Sequence, residues 1–288
     1  MLKPKYVAGL VLLVVVIITG TVVRSPNKQA SKLQVTNGYY VALGDSVAAG
    51  IGLKEYSDSS ACDRTEQAYP KLVAPRLNYK LKSVACSGAT TEMGLLGSQN
   101  VNELAVTPQL SALLSGDKPQ LVTITLGAND TEWTSLIQKC YAELCGSSAD
   151  TEAVQAAVSS VAANLEQAFM QIKNKYPSGT PPVIITGYYK LFSPEPAVGC
   201  TELSGIEPTE LNWITQLQDT IDTALQTATV NYNFVTYIPI SFSGHELCTD
   251  NPWIQSLNAK KPYHPTEAGQ VAIANQIVAA LEKKKDPK

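Results

Sequence analysis

The chain has 288 residues, 44% of them hydrophobic, and a net charge of −3, enough apolar material for one α/β domain to bury its core as a monomer without metals. Only 16% of its residues are charged and no basic stripe runs along any segment, so a surface that tracks nucleic-acid phosphates is excluded. Ser, Thr, Asn and Gln do the solubilising, and the terminal run Lys283, Lys284, Lys285 is read as a solvated tail.

In chain order the first feature is Lys3 and Lys5 ahead of an uncharged apolar run, residues 6–23, closed by Arg24. Such a run is an export signal or a retained membrane anchor. It carries no A-x-A cleavage pattern, and no Cys follows it to take a lipid. Residues 1–24 are therefore assigned to a signal peptide or anchor, 25–37 to a polar spacer and 38–288 to the folded domain. Either way the body of the protein lies outside the cytoplasm, secreted or held at the outer face of the membrane. Six cysteines agree with that compartment, because an even count in an exported chain points to disulfides. Their spacing favours Cys140 with Cys145, and the preferred remainder is Cys62 with Cys86 and Cys200 with Cys248. A zinc site on His245 and Cys248 lacks the paired C-x-x-C spacing such sites use.

Short β-rich runs then alternate with long stretches of helical period. Strands are predicted at 39–43, 80–85, 121–126, 183–186 and 234–238. Apolar residues recur at three and four positions from Val154 to Ile172 and from Leu211 to Leu225, and a last helix is expected over about 265–282. This alternation predicts an α/β fold, a central parallel sheet of about five strands covered on both faces, in one domain. In such sheets the working residues gather at the carboxyl ends of the strands. There the first three strands end in Gly44-Asp45-Ser46, in Cys86-Ser87-Gly88 and in Gly127-Ala128-Asn129-Asp130, and His264-Pro265 opens the last helix.

Ser46 stands between Gly44 and small residues that let a turn hold its hydroxyl outward, and a serine nucleophile needs a base. Of the two histidines, His264 is favoured, because the helix start at Pro265 fixes its backbone at the sheet rim; His245 is read as structural, with lining the cleft near a disulfide as the alternative. Acyl transfer also needs donors for an oxyanion. Gly88 can bring its backbone N–H close to substrate, the Asn129 amide donates without charge, and the Ser46 N–H is a third. Asp45 and Asp130 are read as braces for their loops, and Trp133 and Trp253 as core aromatics or acyl-chain contacts. A second Gly to complete G-x-S-x-G is missing after Ser46, so an α/β-hydrolase is a poor fit.

Taken together and in this order, Gly44-Asp45-Ser46, Gly88, Gly127-Ala128-Asn129-Asp130 and His264-Pro265 resemble the blocks of the SGNH, or GDSL-type, hydrolases. The resemblance spans about residues 39–281. It implies a three-layer flavodoxin-like fold and hydrolysis of a small-molecule or lipid ester through an acyl-enzyme, with Ser46, Gly88 and Asn129 as the oxyanion hole and no metal or organic cofactor. The cysteine pattern is similar to that of secreted actinobacterial esterases and lipases of the family.

The chain departs from the family in one place: three residues before the His the family usually has Asp, and here stands Lys261. An ammonium cannot accept a hydrogen bond. The expectation is that the backbone carbonyl of Lys261 orients His264, as in some secreted relatives, with Asp250 or Glu267 as rivals. An esterase or lipase is the first expectation for activity. The same fold used on acylated glycans, as an O-acetylesterase or acyltransferase, is the second, and a decayed surface binding module the third.

Overall fold

The apolar run after Gly38 forms β1 (Tyr39–Gly44) in the computed structural model, which describes residues 38–54 and 61–285, and Ser46 opens the single turn α1 (Ser46–Ala49). The segments assigned to export and spacer, 1–24 and 25–37, lie outside the described residues. Pro70 in the first turn suits the start of α2 (Tyr69–Arg76), and β2 (Lys80–Ser83) follows. A hairpin of β3 (Gln99–Val101) and β4 (Leu104–Val106) leads into α3 (Gln109–Leu114). Next come β5 (Leu121–Thr125), α4 (Trp133–Ala142) and α5 (Ser148–Lys175), the last begun by a capping box between Ser147 and Asp150. The chain ends with β6 (Val183–Thr186), α6 (Pro208–Thr229), β7 (Val235–Ile238) and α7 (Glu267–Lys285).

Five strands pair in parallel in the order β2-β1-β5-β6-β7. Hydrophobic content follows position in that sheet. The central strands β5 and β6 are buried at every residue, whereas the edge strand β2 alternates between exposed and half-buried. The Thr residues inside the sheet are satisfied locally: Tyr40 Oη meets Thr123 Oγ1 at 2.7 Å, Tyr69 Oη meets Thr125 Oγ1 at 2.8 Å, and Thr125 meets Thr186 at 2.6 Å. Helix α2 packs on α7, while α5 packs on α6 and touches α3, giving the two helical layers that the strand order requires. The predicted apolar faces are the packed ones, with Val154, Val158, Val161, Leu165, Phe169 and Ile172 of α5 all buried.

The five sheet strands and the long helices stand where the sequence pattern places them. The β3–β4 hairpin and the short helices were not anticipated. Helix α7 starts two residues after Pro265 because Thr266 takes the capping position, its carbonyl accepting from Gln270 N at 2.9 Å and its hydroxyl from Gly269 N at 3.3 Å. Cysteines pair as expected, Cys140 with Cys145 on spacing and Cys62–Cys86 and Cys200–Cys248 as the preferred remainder, which removes Cys248 as a zinc ligand. Among the described residues no helix is long and apolar enough to cross a membrane.

Candidate active site

With this strand order, loops diverge to opposite faces of the sheet between β1 and β5, and a crevice forms outside the carboxyl ends of those strands. Ser46 follows β1 and Asn129 follows β5, so the pairing of Gly44 with Thr125 sets their turns side by side. Gly44 is required by close approach: a Cβ there would sit 2.6 Å from Ala48 Cβ and 2.9 Å from Thr125 O. The side-chain amide of buried Gln109 grips the same residue at both ends, accepting from Gly44 N at 2.7 Å and donating to Gly44 O at 2.9 Å.

Asp45 caps the short helix α1, its Oδ1 accepting from Val47 N at 2.9 Å. Val47 and Ala48 direct their N–H groups to this carboxylate. The Ser46 N–H is left without a protein acceptor among the described residues. Burial pushes the Asp45 carboxyl up to about 7 against the lowering effect of the Tyr188 hydroxyl and the two N–H groups, with Asp130 adding to the rise. Gln270 of α7 ties the turn to its surroundings, donating to Val47 O at 2.9 Å and accepting from Tyr69 N at 2.7 Å.

Gly88 adopts φ +78°, a left-handed conformation that favours glycine. Its N–H also has no protein acceptor among the described residues. The Ser87 carbonyl, at the other end of the same peptide, accepts from Gln99 Nε2 at 2.7 Å, which holds that plane with the Gly88 N–H directed away from Gln99. Disulfide Cys62–Cys86 and the bond from Ser87 N to Cys62 O at 3.2 Å fix the chain just before it. Asn129 Nδ2 donates to Ala89 O at 2.9 Å, so one of its two amide hydrogens has no acceptor among the described residues. Asp130 accepts from Thr91 N at 3.0 Å and from the Thr91 hydroxyl, joining the Gly88 loop to the Asn129 turn as a brace. Burial raises its carboxyl above the usual range, partly offset by those bonds.

His264 enters from the far end of the chain. Its Nε2 lies 2.7 Å from Ser46 Oγ. Its Nδ1 lies 2.9 Å from the carbonyl of Pro262, not from that of Lys261 as expected. Tyr263, between them, sits at φ +68°, and this left-handed residue curls the chain so that the carbonyl two places before the ring faces it. The Lys261 carbonyl also favours the charged ring, but less. Neither Asp250 nor Glu267 takes the Nδ1 position among the described residues. The ring is part-buried, and its desolvation, helped by the nearby Lys261 charge, lowers its pKa below the ordinary 6.5 despite the two carbonyls. The imidazole is therefore neutral at pH 7 and free to take a proton.

His245 stands apart: it stacks on Trp253 at 3.7 Å, its Nδ1 2.9 Å from Asn251 O. Trp253 packs against Phe242 on edge, and Trp133 is buried with Tyr188 6.5 Å away, so both tryptophans serve packing. The positioning partners Gln99, Gln109, Tyr188 and Pro262 were not anticipated. Only Pro262 had a signal, the absence of a carboxylate near the His, since the other three meet their partners across long stretches of chain.

The sheet order and the Ser46–His264 contact are those of a hydrolase of the three-layer α/β class, suited to acyl transfer. The sequence pattern of the GDSL-like lipase/acylhydrolase family matches residues 42–272, and the chain belongs to that family of ester hydrolases. It is 32% identical over 250 residues to Lipase 1 of Streptomyces coelicolor, covering 84% of this chain and 85% of the relative. Among solved structures it is similar to the extracellular lipase of Streptomyces rimosus, with a TM-score of 0.67 and 28% identity over 84% of this chain and 99% of that one. It is likewise similar to phospholipase A1 of Streptomyces albidoflavus, with a TM-score of 0.65 and 26% identity over 84% and 99%.

Proposed function

We propose that the protein is an extracellular lipase or esterase in which Ser46 and His264 act as a dyad on fatty-acyl esters. The observation that carries this is the 2.7 Å contact between Ser46 Oγ and a neutral His264 Nε2. In the first step Nε2 takes the hydroxyl proton while Oγ bonds to the ester carbonyl carbon. The negative charge that develops on the carbonyl oxygen is met by the N–H groups of Ser46 and Gly88 and the free Asn129 amide hydrogen. The imidazolium then returns its proton to the alcohol oxygen as the carbon–oxygen bond breaks. Water, deprotonated by the same nitrogen, attacks the acyl-enzyme and releases the acid. The Pro262 carbonyl fixes the tautomer with hydrogen on Nδ1, the form in which Nε2 can accept. A neutral carbonyl stabilises the imidazolium less than a carboxylate does, so the dyad works with orientation and little countercharge.

The acyl preference follows the relatives, named as lipases and a phospholipase A1. Three disulfides support work in an oxidising compartment. The test is a panel of nitrophenyl esters from acetyl to palmitoyl, with a phospholipid and an acetylated sugar beside them, run on the wild type and on Ser46→Ala. The wild type should turn over medium or long acyl esters, and the variant should lose about 10⁴-fold or more in kcat. Turnover retained by the variant rejects the dyad, and a preference confined to the acetylated sugar rejects the lipid substrate.

A further inference from the structure

Two turns must keep fixed relative positions for this chemistry, the one that carries Ser46 and the one that carries Asn129. A single buried hydroxyl touches both. Tyr188, 3% exposed, donates from Oη to Asp45 Oδ2 at 2.6 Å, and the same oxygen accepts from Ala128 N at 3.3 Å. Asp45 precedes Ser46 and caps the helix that Ser46 begins; Ala128 precedes Asn129. The phenol thus spans the crevice floor from β1 to β5 while its own backbone belongs to the segment after β6.

That backbone is gripped from α6. Asp222 Oδ1 accepts from Tyr188 N at 2.9 Å, and Gln218 Nε2 donates to Tyr188 O at 2.8 Å, so both polar groups of the residue are engaged by side chains one helical turn apart. Burial raises the Asp222 carboxyl to about 6, with the Tyr188 N–H, the Tyr237 hydroxyl and Gln218 opposing it. A buried carboxylate held there costs stability. Its contacts lead through Tyr188 to the Ser46 turn.

We infer that Tyr188 is a positioning residue, which locks the Ser46 turn to the Asn129 turn through Asp45 and Ala128 and is itself aimed by Asp222 and Gln218. The inference rests on the roles proposed above for Ser46 and Asn129. Its effect is on the transition state: a relaxed bridge leaves substrate binding in place and lets the oxyanion donors drift from the carbon that Ser46 attacks. It also acts on charge. Around Asp45 stand Tyr188, Asp130 and the hydroxyls of Tyr69 and Tyr189, and of these Tyr188 gives the hydrogen bond that favours the charged carboxylate against its burial.

The test compares Tyr188→Phe with Tyr176→Phe in the full chain. Tyr176 Oη, likewise buried, bonds to Leu113 O at 3.2 Å, far in sequence from every residue of the dyad and its donors. For Tyr188→Phe, kcat on a nitrophenyl ester should fall about tenfold or more at a KM within about twofold, as expected for losing a bond to a charged group. The acid limb of its kcat profile should move to higher pH, because Asp45 then holds its proton more tightly. Tyr176→Phe should lose thermal stability and keep both kcat and the limb. A kcat within about twofold of wild type in Tyr188→Phe overturns the inference, as does a loss of kcat with an unmoved acid limb. If Tyr188→Phe does not fold, Asp222→Ala, which removes the acceptor of the Tyr188 N–H, must lower kcat about threefold at constant KM; an unchanged kcat there overturns it too. Ser46→Ala run alongside separates the two levels. If that variant stays active the dyad itself fails, whereas an inactive Ser46→Ala beside a fully active Tyr188→Phe removes only the bridge.

Discussion

The two halves of the crevice are held by different means. Around Ser46 side chains do the holding: Gln109 grips Gly44 at both ends, Asp45 caps the turn, Tyr188 secures Asp45 and Gln270 takes Val47 O. Around His264 the backbone does most of it, with Tyr189 Oη donating to Tyr263 O at 2.8 Å and Gln255 Nε2 to Pro265 O at 3.1 Å beside it. Gln255 N donates to His264 O at 2.7 Å, Tyr263 N to Gln255 O at 3.0 Å and Thr266 N to Trp253 O at 2.8 Å, so residues 253–255 and 263–266 form a short two-sided ladder. The carboxylates of the site stand behind Ser46 and the proposed oxyanion donors, and His264, the proposed base, has only carbonyls. Charge braces one half and main-chain geometry orients the other. Point substitutions should therefore reach deep into the first half, while in the second only the imidazole itself should be irreplaceable.

The largest break is at that imidazole. His264→Ala should lower kcat about 10⁴- to 10⁶-fold, as loss of a base does in serine hydrolases that depend on one, measured with a nitrophenyl ester at pH 8. Residual activity within a hundredfold of wild type would mean that another group deprotonates Ser46, and the contrast between the halves would lose its second member.

A smaller effect is expected at Asp45, where activity and stability should separate. Its folded pKa, about 7, lies above the ordinary 3.8 because burial disfavours the charge. Between those values the folded protein holds a proton that the unfolded chain lacks, so the contribution of Asp45 to stability falls as pH rises from about 4 to about 7. Asp45→Asn keeps a good helix cap and removes the ionisation. Its melting temperature relative to wild type should rise from pH 4 to pH 8, while kcat falls about tenfold because the Ser46 turn loses its charged acceptor. A difference in melting temperature that is flat with pH would show that Asp45 is not carried as a strained charge.

In both halves the positions at element ends could be read from the amino-acid order and the contacts that support them could not. The positions proposed for the chemistry, Ser46, Gly88, Asn129 and His264, could be singled out because each stands at the carboxyl end of a strand or the start of a helix, and those elements announce themselves by period. The five strands of the sheet were legible for the same reason. The β3–β4 hairpin was not: Gln99–Val101 and Leu104–Val106 are short, only half of their residues exposed, and joined through Asn102 and Glu103, which take left-handed conformations without a glycine to signal them. Gln99, Gln109 and Tyr188 escaped because a contact between residues 12 to 143 positions apart leaves no local pattern. The error of one residue at the base, Pro262 for Lys261, has the same root. Carbonyls are common to all residues, and which one faces the ring was decided by the left-handed backbone of Tyr263, a residue type that seldom adopts it.

The smallest effect should come from Lys261, and its sign tests whether the backbone suffices. The side chain contributes a positive charge that disfavours the imidazolium, the weakest of the influences on His264 after desolvation and the two carbonyls. Lys261→Ala removes that charge and leaves a carbonyl at 261 in place. The His264 pKa should then rise, which an NMR titration of its ring protons reads directly. At pH 8, above that pKa, kcat should stay within about twofold of wild type, since a partly exposed charge is screened by solvent. A collapse of kcat at pH 8 would show that the identity of residue 261 matters to the orientation of the ring. The base would then be held by side chains after all, like the serine it serves.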